Sequence, residues 1–325
     1  MPLELWRIAC ASALLVALQP APASGQPDIS LVSRFRLETT WEIALPENAS
    51  ILLRFATCPD GSVYALSSQT LDEISPDGKI VASDSTIESG WSIACDGRRR
   101  LFVAGSQLSI FEPLPQGTFR QISTAPLKVL VARLLVAPDG SIYGITAEPK
   151  PSLITISDSG EEVLLRKGQL PDFEASVTPG LPYPEERSCA LAWDTVGDRL
   201  AYTLPGQSTE FWHEGKEVSS KKPLSAPKHP LSDRCLPPLQ PSLVSLPNGQ
   251  FARTRTERSE IADALDQGYL DVLDGSLKLI ARPVPIDAVL FGSSDDGSLY
   301  FVSFHAKVAT IAKRTLIPDD SATSN

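Results

Sequence analysis

Charged side chains that a fold can gather at one concave surface are the most direct pointers to chemistry in this sequence. Seven of them lie at the expected starts of apolar strands: Arg54, Glu88, Arg133, Glu185, Glu186, Arg187 and Asp287. Such a mixture of guanidiniums and carboxylates holds a polar or anionic ligand, or it forms ordinary ion pairs around a water-filled channel. Both interpretations stay open, because the sequence does not show how the seven side chains pair.

Groups that would mark an enzyme are few. The chain has three histidines, His213, His229 and His305, and the predicted positions of His213 in a turn and His305 in the last repeat do not favour a three-histidine zinc centre. The G-x-S-x-G, P-loop and H-E-x-x-H motifs do not occur in the sequence. We therefore predict a protein without a cofactor, and an enzymatic activity is the less favoured interpretation.

The elements that must position the charged residues come from one hairpin that recurs six times. Its first copy is TCPDGSVYAL (57–66), a Pro-Asp-Gly turn followed by an apolar strand. In this turn proline presets φ, aspartate bonds the backbone ahead and glycine takes a positive φ. The corresponding glycines are 36 to 57 residues apart, near the period of propeller blades, and they are Gly61, Gly97, Gly140, Gly197, Gly249 and Gly297.

A second glycine turn follows in each of the first five repeats, at Gly78, Gly117, Gly160, Gly215 and Gly275. Two hairpins per repeat predict four antiparallel strands per blade. The sixth repeat has no fourth strand, whereas the segment 33–45 precedes the first hairpin and belongs to no repeat. We predict an all-β, six-bladed β-propeller over residues 33–318, with the ring closed by the N-terminal strand in the last blade. Residues 319–325 are predicted to form a disordered tail.

The repeated hairpins also carry a resemblance to known proteins. PDGSVY (59–64) and PDGSIY (138–143) resemble hairpins of six-bladed propellers in the broad NHL and gluconolactonase-like group, which includes binders, scaffolds, lactonases and lyases. The enzymes of this group hold a divalent cation, such as calcium, with carboxylates and an asparagine at the tunnel. The residues that match the acidic part are Glu88, Asp287 and either Glu185 or Glu186. The resemblance implies an alternative function, a metal-dependent, lactonase-like hydrolase or a lyase at the tunnel mouth.

Long segments fall on one face of the predicted ring. In a four-stranded blade the tight hairpin turns share one face, and the second-to-third loops and blade-to-blade connections share the other, here called the long-loop face. Residues 168–188, 223–241 and 255–266 lie on the long-loop face. Loops held by a rigid ring commonly carry function. We predict a non-catalytic propeller that binds a protein, a peptide or an envelope component there; a structural cover over the tunnel is the alternative.

Charge and the N-terminus restrict the partners and the compartment. A net charge of −10 and no run of five like charges argue against binding to nucleic acid or to an anionic membrane surface.

Residues 1–23 have the pattern of a secretory signal, with Arg7 before an apolar core at 8–18 and Ala21 and Ala23 near the cleavage site. That core is shorter than the roughly 20 residues that span a bilayer. We predict a linker at 24–32, no stable membrane insertion after cleavage, and a secreted or periplasmic protein.

Four cysteines follow the predicted leader, Cys58, Cys95, Cys189 and Cys235. An even number in an oxidising compartment suggests two disulfides. A Cys189–Cys235 bond would fasten a long connection to the ring and is the favoured pair. Cys58 and Cys95 lie before the hairpin glycines of neighbouring blades and form the second candidate pair. Buried free thiols are the alternative.

Four aromatic residues fall on predicted strands and need no functional role. Trp91 and Trp193 are expected in inner strands, and Phe211 and Trp212 in a third strand. Large side chains fill the wedges between blades, so we predict that these four pack there.

Overall fold

The computed structural model describes most of the predicted repeat region. The described residues are 34–45, 53–68, 70–87, 90–115, 117–147, 151–167, 189–204, 209–213, 216–220, 243–257, 267–305 and 308–319. The predicted leader, the predicted linker and all but the first residue of the predicted tail lie outside these ranges. So do the two long segments 168–188 and 223–241.

Twenty-four strands form six antiparallel sheets of four strands each in the described part of the chain. The last blade contains β1 (Phe35–Ala44), β22 (Val289–Ser293), β23 (Leu299–His305) and β24 (Val308–Pro318). From the innermost strand outwards, blade one contains β2 (Arg54–Thr57), β3 (Val63–Leu66), β4 (Leu71–Ile74) and β5 (Ile80–Asp84), and blade two contains β6 (Ser92–Cys95), β7 (Leu101–Ala104), β8 (Gln107–Pro113) and β9 (Phe119–Pro126). In the same order, blade three contains β10 (Val131–Val136), β11 (Ile142–Thr146), β12 (Leu153–Ile156) and β13 (Glu162–Arg166), and blade four contains β14 (Ala190–Asp194), β15 (Arg199–Thr203), β16 (Glu210–His213) and β17 (Lys216–Ser220). Blade five contains β18 (Leu243–Ser245), β19 (Phe251–Glu257), β20 (Gln267–Leu273) and β21 (Val284–Ile286). The prediction of a six-bladed, all-β propeller is confirmed.

The aspartates of the repeated turns explain why the hairpin sequence recurs. Asp60 Oδ1 accepts a hydrogen bond from the backbone nitrogen of Ser62 at 2.9 Å, and Asp139 Oδ1 accepts one from Ser141 at 2.8 Å. In blade six the carboxylate of Asp296 accepts the equivalent bond from Ser298 at 2.9 Å. Each side chain thus satisfies a donor at the tip of its turn, which stabilises the tight hairpin.

The left-handed position of the turn is not always a glycine. Gly61, Gly140, Gly249 and Gly297 have positive φ, but Arg99 takes this conformation in blade two, Asp198 in blade four and Leu277 in the second turn of blade five. The predicted turn positions of Gly97, Gly197 and Gly275 were therefore wrong by two, one and two residues. In blade two the Arg99 guanidinium bonds the Glu73 carboxylate, and this ion pair offsets the backbone cost of a side chain at positive φ.

Substitutions at three turn glycines test how much positive φ and close packing each contribute to the need for glycine. A Cβ at Gly160, whose φ is +78°, would lie 2.8 Å from the carbonyl oxygen of Pro126 in the preceding blade, whereas one at Gly140, φ +90°, meets nothing within 4 Å. Gly140→Ala should cost about 1 kcal/mol of unfolding free energy, from φ alone, and Gly160→Ala about 3 kcal/mol. Gly97→Ala, at ordinary φ in open space, is the matched control and should change little. Urea unfolding of the three variants measures the order; equal losses at Gly140 and Gly160 would contradict the close approach.

The ring is closed by the N-terminal strand, as the sequence predicted. Strand β1 pairs antiparallel with β24, from Phe35 opposite Pro318 to Ala44 opposite Thr310. On the other side, Trp41 Nε1 donates a hydrogen bond to the carbonyl oxygen of Pro76 in blade one at 2.8 Å. The strand from one end of the chain therefore completes blade six and contacts blade one.

The apolar core lies between neighbouring blades. Tyr64 and Leu71 of blade one, for example, belong to the same buried cluster as Leu101 and Val103 of blade two. Strand β19 is longer than expected, since Arg255–Glu257 pair with β20 although the sequence placed them in a loop. Packing between neighbouring blades holds the innermost strands in a fixed ring around the centre of the propeller.

Candidate functional site

The six innermost strands line a cavity at the centre of the ring. Strands β2, β6, β10, β14, β18 and β22 are each the edge strand of their sheet, and residues from all six line a cavity of about 720 Å³. Small-ligand pockets commonly measure about 300–1,000 Å³. This cavity, here called the tunnel, is therefore large enough to hold a ligand.

The charged residues that the structure describes at the two ends of the tunnel differ in sign. Each innermost strand begins at the long-loop face and ends at the face of the tight turns. Arg54 begins β2 and Arg133 is near the start of β10, so both guanidiniums lie toward the long-loop face. Asp198 and Asp295 line the tunnel beyond the ends of β14 and β22, at the tight-turn face.

Arg54 is held by backbone carbonyls of the residues that immediately precede two innermost strands, β2 and β6. Its Nε donates to the carbonyl oxygen of Trp91 at 2.8 Å, and its Nη1 donates to that of Leu53 at 3.0 Å. The residue is only 8% exposed, and burial lowers the pKa of its guanidinium. The bond to Trp91 crosses from blade one to blade two and fixes the direction of the side chain.

Arg133 occupies the corresponding place in blade three. Its Nε donates to the carbonyl oxygen of Cys189, in blade four, at 3.1 Å. Its Nη2 is enclosed and has no hydrogen-bond partner in the described part of the chain. Burial, and then the nearby positive charge of Arg54, lower the pKa of Arg133 to about 10. Because that value is far above neutral pH, the side chain remains charged, and its partners in the described residues are neutral.

In the described part of the chain, the two arginines at this end of the tunnel have no carboxylate partner. Within the described residues, the hydrogen-bond acceptors of both guanidiniums are backbone carbonyl oxygens only. The positive charge of Arg54 lowers the pKa of Arg133, so the two guanidiniums repel each other across a partly desolvated space. An anion between Arg54 and Arg133 would relieve this repulsion and supply charge-assisted hydrogen bonds.

The other predicted site residues do not all join this pair. Asp287 lies outside the tunnel lining, with its side chain 72% exposed and 3.4 Å from the guanidinium of Arg314. Glu88, Glu185, Glu186 and Arg187 lie outside the described residues. Of the seven predicted positions, the structure thus brings Arg54 and Arg133 together and separates Asp287 from them.

Aromatic side chains form part of the tunnel wall, which the sequence did not indicate. Phe55 and Phe291, from blades one and six, stack with ring centroids 4.7 Å apart. Trp193 stacks on Tyr143 at 6.0 Å and has an enclosed Nε1 without a partner among the described residues. Trp91 is 41% exposed in the tunnel lining. The prediction that the tryptophans pack between blades therefore describes Trp193 better than Trp91. The position of Phe55 beside Arg54 was the available signal.

One of the two predicted cysteine pairs is visible in full. Cys58 and Cys95 form a disulfide with their Cα atoms 5.1 Å apart, at the ends of the innermost strands of blades one and two. Cys189 is disulfide-bonded as well, and Cys235, its predicted partner, lies outside the described residues. The less favoured pair is therefore confirmed, and the free-thiol alternative is wrong for these three cysteines.

Two further features bear on metals and membranes. Across the described ranges, no group of three or more His, Cys, Asp or Glu side chains has the arrangement of a metal site. Two of the acidic residues matched to the cation site, Glu88 and Glu185 or Glu186, fall in the gaps between those ranges. Among the described residues, no helix long and apolar enough to cross a membrane occurs.

Comparisons with known proteins agree with the architecture. No protein-family model and no curated protein matches the chain. A crystal structure of a catalytically inactive virginiamycin B lyase from Staphylococcus aureus with quinupristin is 14% identical, with a TM-score of 0.51 over 87% of this chain and 100% of that one. The fold is that of the six-bladed propellers.

Two further solved structures have a similar sequence identity to this propeller. A gluconolactonase from Xanthomonas campestris is 14% identical, with a TM-score of 0.48 over 88% of each chain. A protein of unknown function from Bacteroides caccae is also 14% identical, with a TM-score of 0.49 over 76% of this chain and 85% of that one. At such identities the likeness concerns the fold alone, and the neighbours include both enzymes and proteins without an assigned function.

Proposed function

We propose that this protein is an exported, non-catalytic propeller that binds its ligand at the long-loop face and holds an anionic group of that ligand between Arg54 and Arg133. The observation that carries the proposal is the pair of enclosed guanidiniums whose partners, in the described residues, are backbone carbonyls. A purely structural arginine is normally matched by a carboxylate. Here the matching charge would come from the ligand, which is a protein, a peptide or an envelope component.

Export is the second part of the proposal. A stabilising disulfide between two strands of the ring suits an oxidising compartment, and the leader pattern at 1–23 fits the same route. A secreted or periplasmic protein meets ligands outside the cytoplasm. The long-loop face would be its contact surface there.

The direct test replaces one guanidinium by a neutral amide. In the wild type, millimolar benzoate or phenyl phosphate should raise the melting temperature by about 2–4 °C, and the neutral isostere benzamide should not. Arg133→Gln should abolish the shift. Arg120→Gln removes the same charge from an exposed pair with Glu112, outside the tunnel lining, and should respond like the wild type.

The stability of the free variant separates a binding role from a structural one. Arg133→Gln loses the bond to the Cys189 carbonyl, about 1 kcal/mol, but it also removes repulsion by Arg54 and the desolvation of a charge. The melting temperature without ligand should therefore stay close to that of the wild type. A clear loss of stability, or an anion response that survives in Arg133→Gln, would contradict the proposal.

The same assay addresses the metal-dependent alternative. Calcium, magnesium and zinc are titrated against the wild type, Glu88→Ala and Asp287→Ala. A metal-induced rise in melting temperature that both substitutions abolish would favour a hydrolase or lyase. A response to benzoate alone would favour the binding protein.

A further inference from the structure

The tunnel has features beyond the arginine pair that specify the rest of the ligand. We propose that the ligand is a short, extended peptide whose C-terminal carboxylate lies between Arg54 and Arg133 and whose amino terminus lies near Asp198 and Asp295. This inference rests on the proposed function, since it identifies the anionic group held by the two arginines. Length, backbone hydrogen bonding, wall chemistry and charge each support it.

The length of the tunnel matches four to five extended residues. Residues 189–193, along β14 (Ala190–Asp194), and 132–138, along β10 (Val131–Val136), line the tunnel. A strand rises about 3.3 Å per residue, so the lined distance is about 15–20 Å. An extended peptide of similar length would reach from one end to the other.

The tunnel wall offers backbone groups to such a peptide. Each of the six innermost strands has a neighbouring strand on one side only, which leaves its other edge toward the tunnel. Side chains bond some of these carbonyls; Ser92 Oγ donates to Val131 at 2.9 Å, and Ser293 Oγ donates to Ser245 at 2.7 Å. Edge strands recognise extended peptides through the remaining donors and acceptors. A small aromatic anion would use none of them.

Apolar side chains alternate with these polar edges. The stacked Phe55 and Phe291 lie on one side of the tunnel, and Leu135, Leu191 and the exposed face of Trp91 contribute elsewhere to its lining. Main-chain bonds provide affinity in this mode of recognition, and pockets for side chains provide selectivity. The wall therefore favours a peptide with apolar or aromatic side chains over a polar one.

Opposite charges mark the two ends. Arg54 and Arg133 lie toward the long-loop face, and the exposed carboxylates of Asp198 and Asp295 lie at the tight-turn face. The salt bridges of the described residues involve neither carboxylate. A peptide with free termini carries a carboxylate at one end and an ammonium at the other, separated by the length of its backbone. An inorganic or small organic anion would match only the arginine end.

The experiment measures peptide affinity by calorimetry with the full chain. The probes are five-residue peptides of alanine, leucine and phenylalanine in three forms: free termini, amidated C-terminus and acetylated N-terminus. Amidation should weaken binding at least tenfold, because it removes the charge that the arginines recognise, and acetylation should weaken it about threefold. Because the changes are in the peptide, this comparison does not depend on the folding of any variant.

Two variants, each with a matched control, test which terminus of the peptide lies at which end of the tunnel. In Arg133→Gln, free and amidated peptides should bind equally weakly; in Asp295→Asn, free and acetylated peptides should bind alike. Arg120→Gln and Asp158→Asn remove the same charges from exposed positions outside the tunnel lining and should preserve both differences. Thermal melts of all four variants confirm that they are folded.

The outcomes separate this inference from the function on which it rests. If benzoate stabilises the wild type through Arg133 but the peptides do not bind, the tunnel is an anion site and the peptide inference is wrong. Equal affinity for free and amidated peptides would overturn it as well. If neither benzoate nor the peptides bind, the proposed function is also wrong.

Discussion

A chain without Phe35–Ala44 (β1) is expected to lose most of its stability and to aggregate. This strand forms the outer edge of blade six along β24 and packs Trp41 against blade one. Without it, the long β24 would become an unprotected edge strand, and blades six and one would lose a shared contact. The loss should be a large part of the roughly 5–15 kcal/mol that keeps an ordinary domain folded.

Thermal melting and size-exclusion chromatography measure this effect. The matched control is a chain that begins at Arg34, which keeps all of β1 and removes only residues before the described part. The control should melt cooperatively and elute as a folded species, whereas the chain that lacks β1 should melt much earlier and form large aggregates. If both chains melt at the same temperature, closure by β1 does not stabilise the ring.

Ring closure was predictable because it follows from the number of strands in each repeat. The turn glycines recur through local backbone chemistry, so the strands between them can be assigned without tertiary information. A sixth repeat with three strands and an unassigned N-terminal strand then leave one economical solution. The turn positions in blades two and four were misplaced because Arg99 and Asp198 take the left-handed conformation that the sequence assigned to glycine.

The candidate site was predictable only in part. The position of Arg54 and Arg133 in the tunnel lining was predictable because their distance from the hairpin turn places them near the start of an innermost strand. Asp287 lies ten residues before Gly297, whereas Arg54 and Arg133 lie seven before their hairpin glycines, and its side chain is 72% exposed beside Arg314. A shift of one or two residues at a strand start decides whether a side chain enters the tunnel. Which groups among the described residues accept hydrogen bonds from the two arginines depends on three-dimensional neighbours that no sequence spacing reveals.

The cysteines illustrate the same limit. Cys189–Cys235 was favoured because this bond would fasten a long connection to the ring. Cys58–Cys95 was less favoured because disulfide geometry is strict, although innermost strands of adjacent blades can approach closely. In the structure, the ends of β2 and β6 are adjacent around the ring, which places the Cα atoms of Cys58 and Cys95 5.1 Å apart. Adjacency of the innermost strands follows from the ring, but the exact placement of the two strand ends, which the strict geometry of a disulfide requires, does not follow from the sequence. Cys189 is disulfide-bonded too, and its pairing with Cys235 stays a prediction.

Removal of that disulfide is the second large effect that the structure predicts. Cys58→Ala/Cys95→Ala should lower the free energy of unfolding by about 3–4 kcal/mol, because a cross-link across a separation of 37 residues restricts the unfolded chain. The melting temperature should fall by about 10 °C. Alanine is used because Cys58 is fully buried, and a serine hydroxyl there would add a desolvation cost.

A reductant supplies the control, because Cys189 is disulfide-bonded too. Dithiothreitol should destabilise the wild type through both bonds and the double variant only through the bond of Cys189. The difference between the two responses therefore isolates the Cys58–Cys95 contribution, provided that the reductant reaches the buried sulfurs, which free-thiol counting establishes. If the difference is near zero in fully reduced protein, packing between blades one and two, rather than the cross-link, holds that part of the ring together.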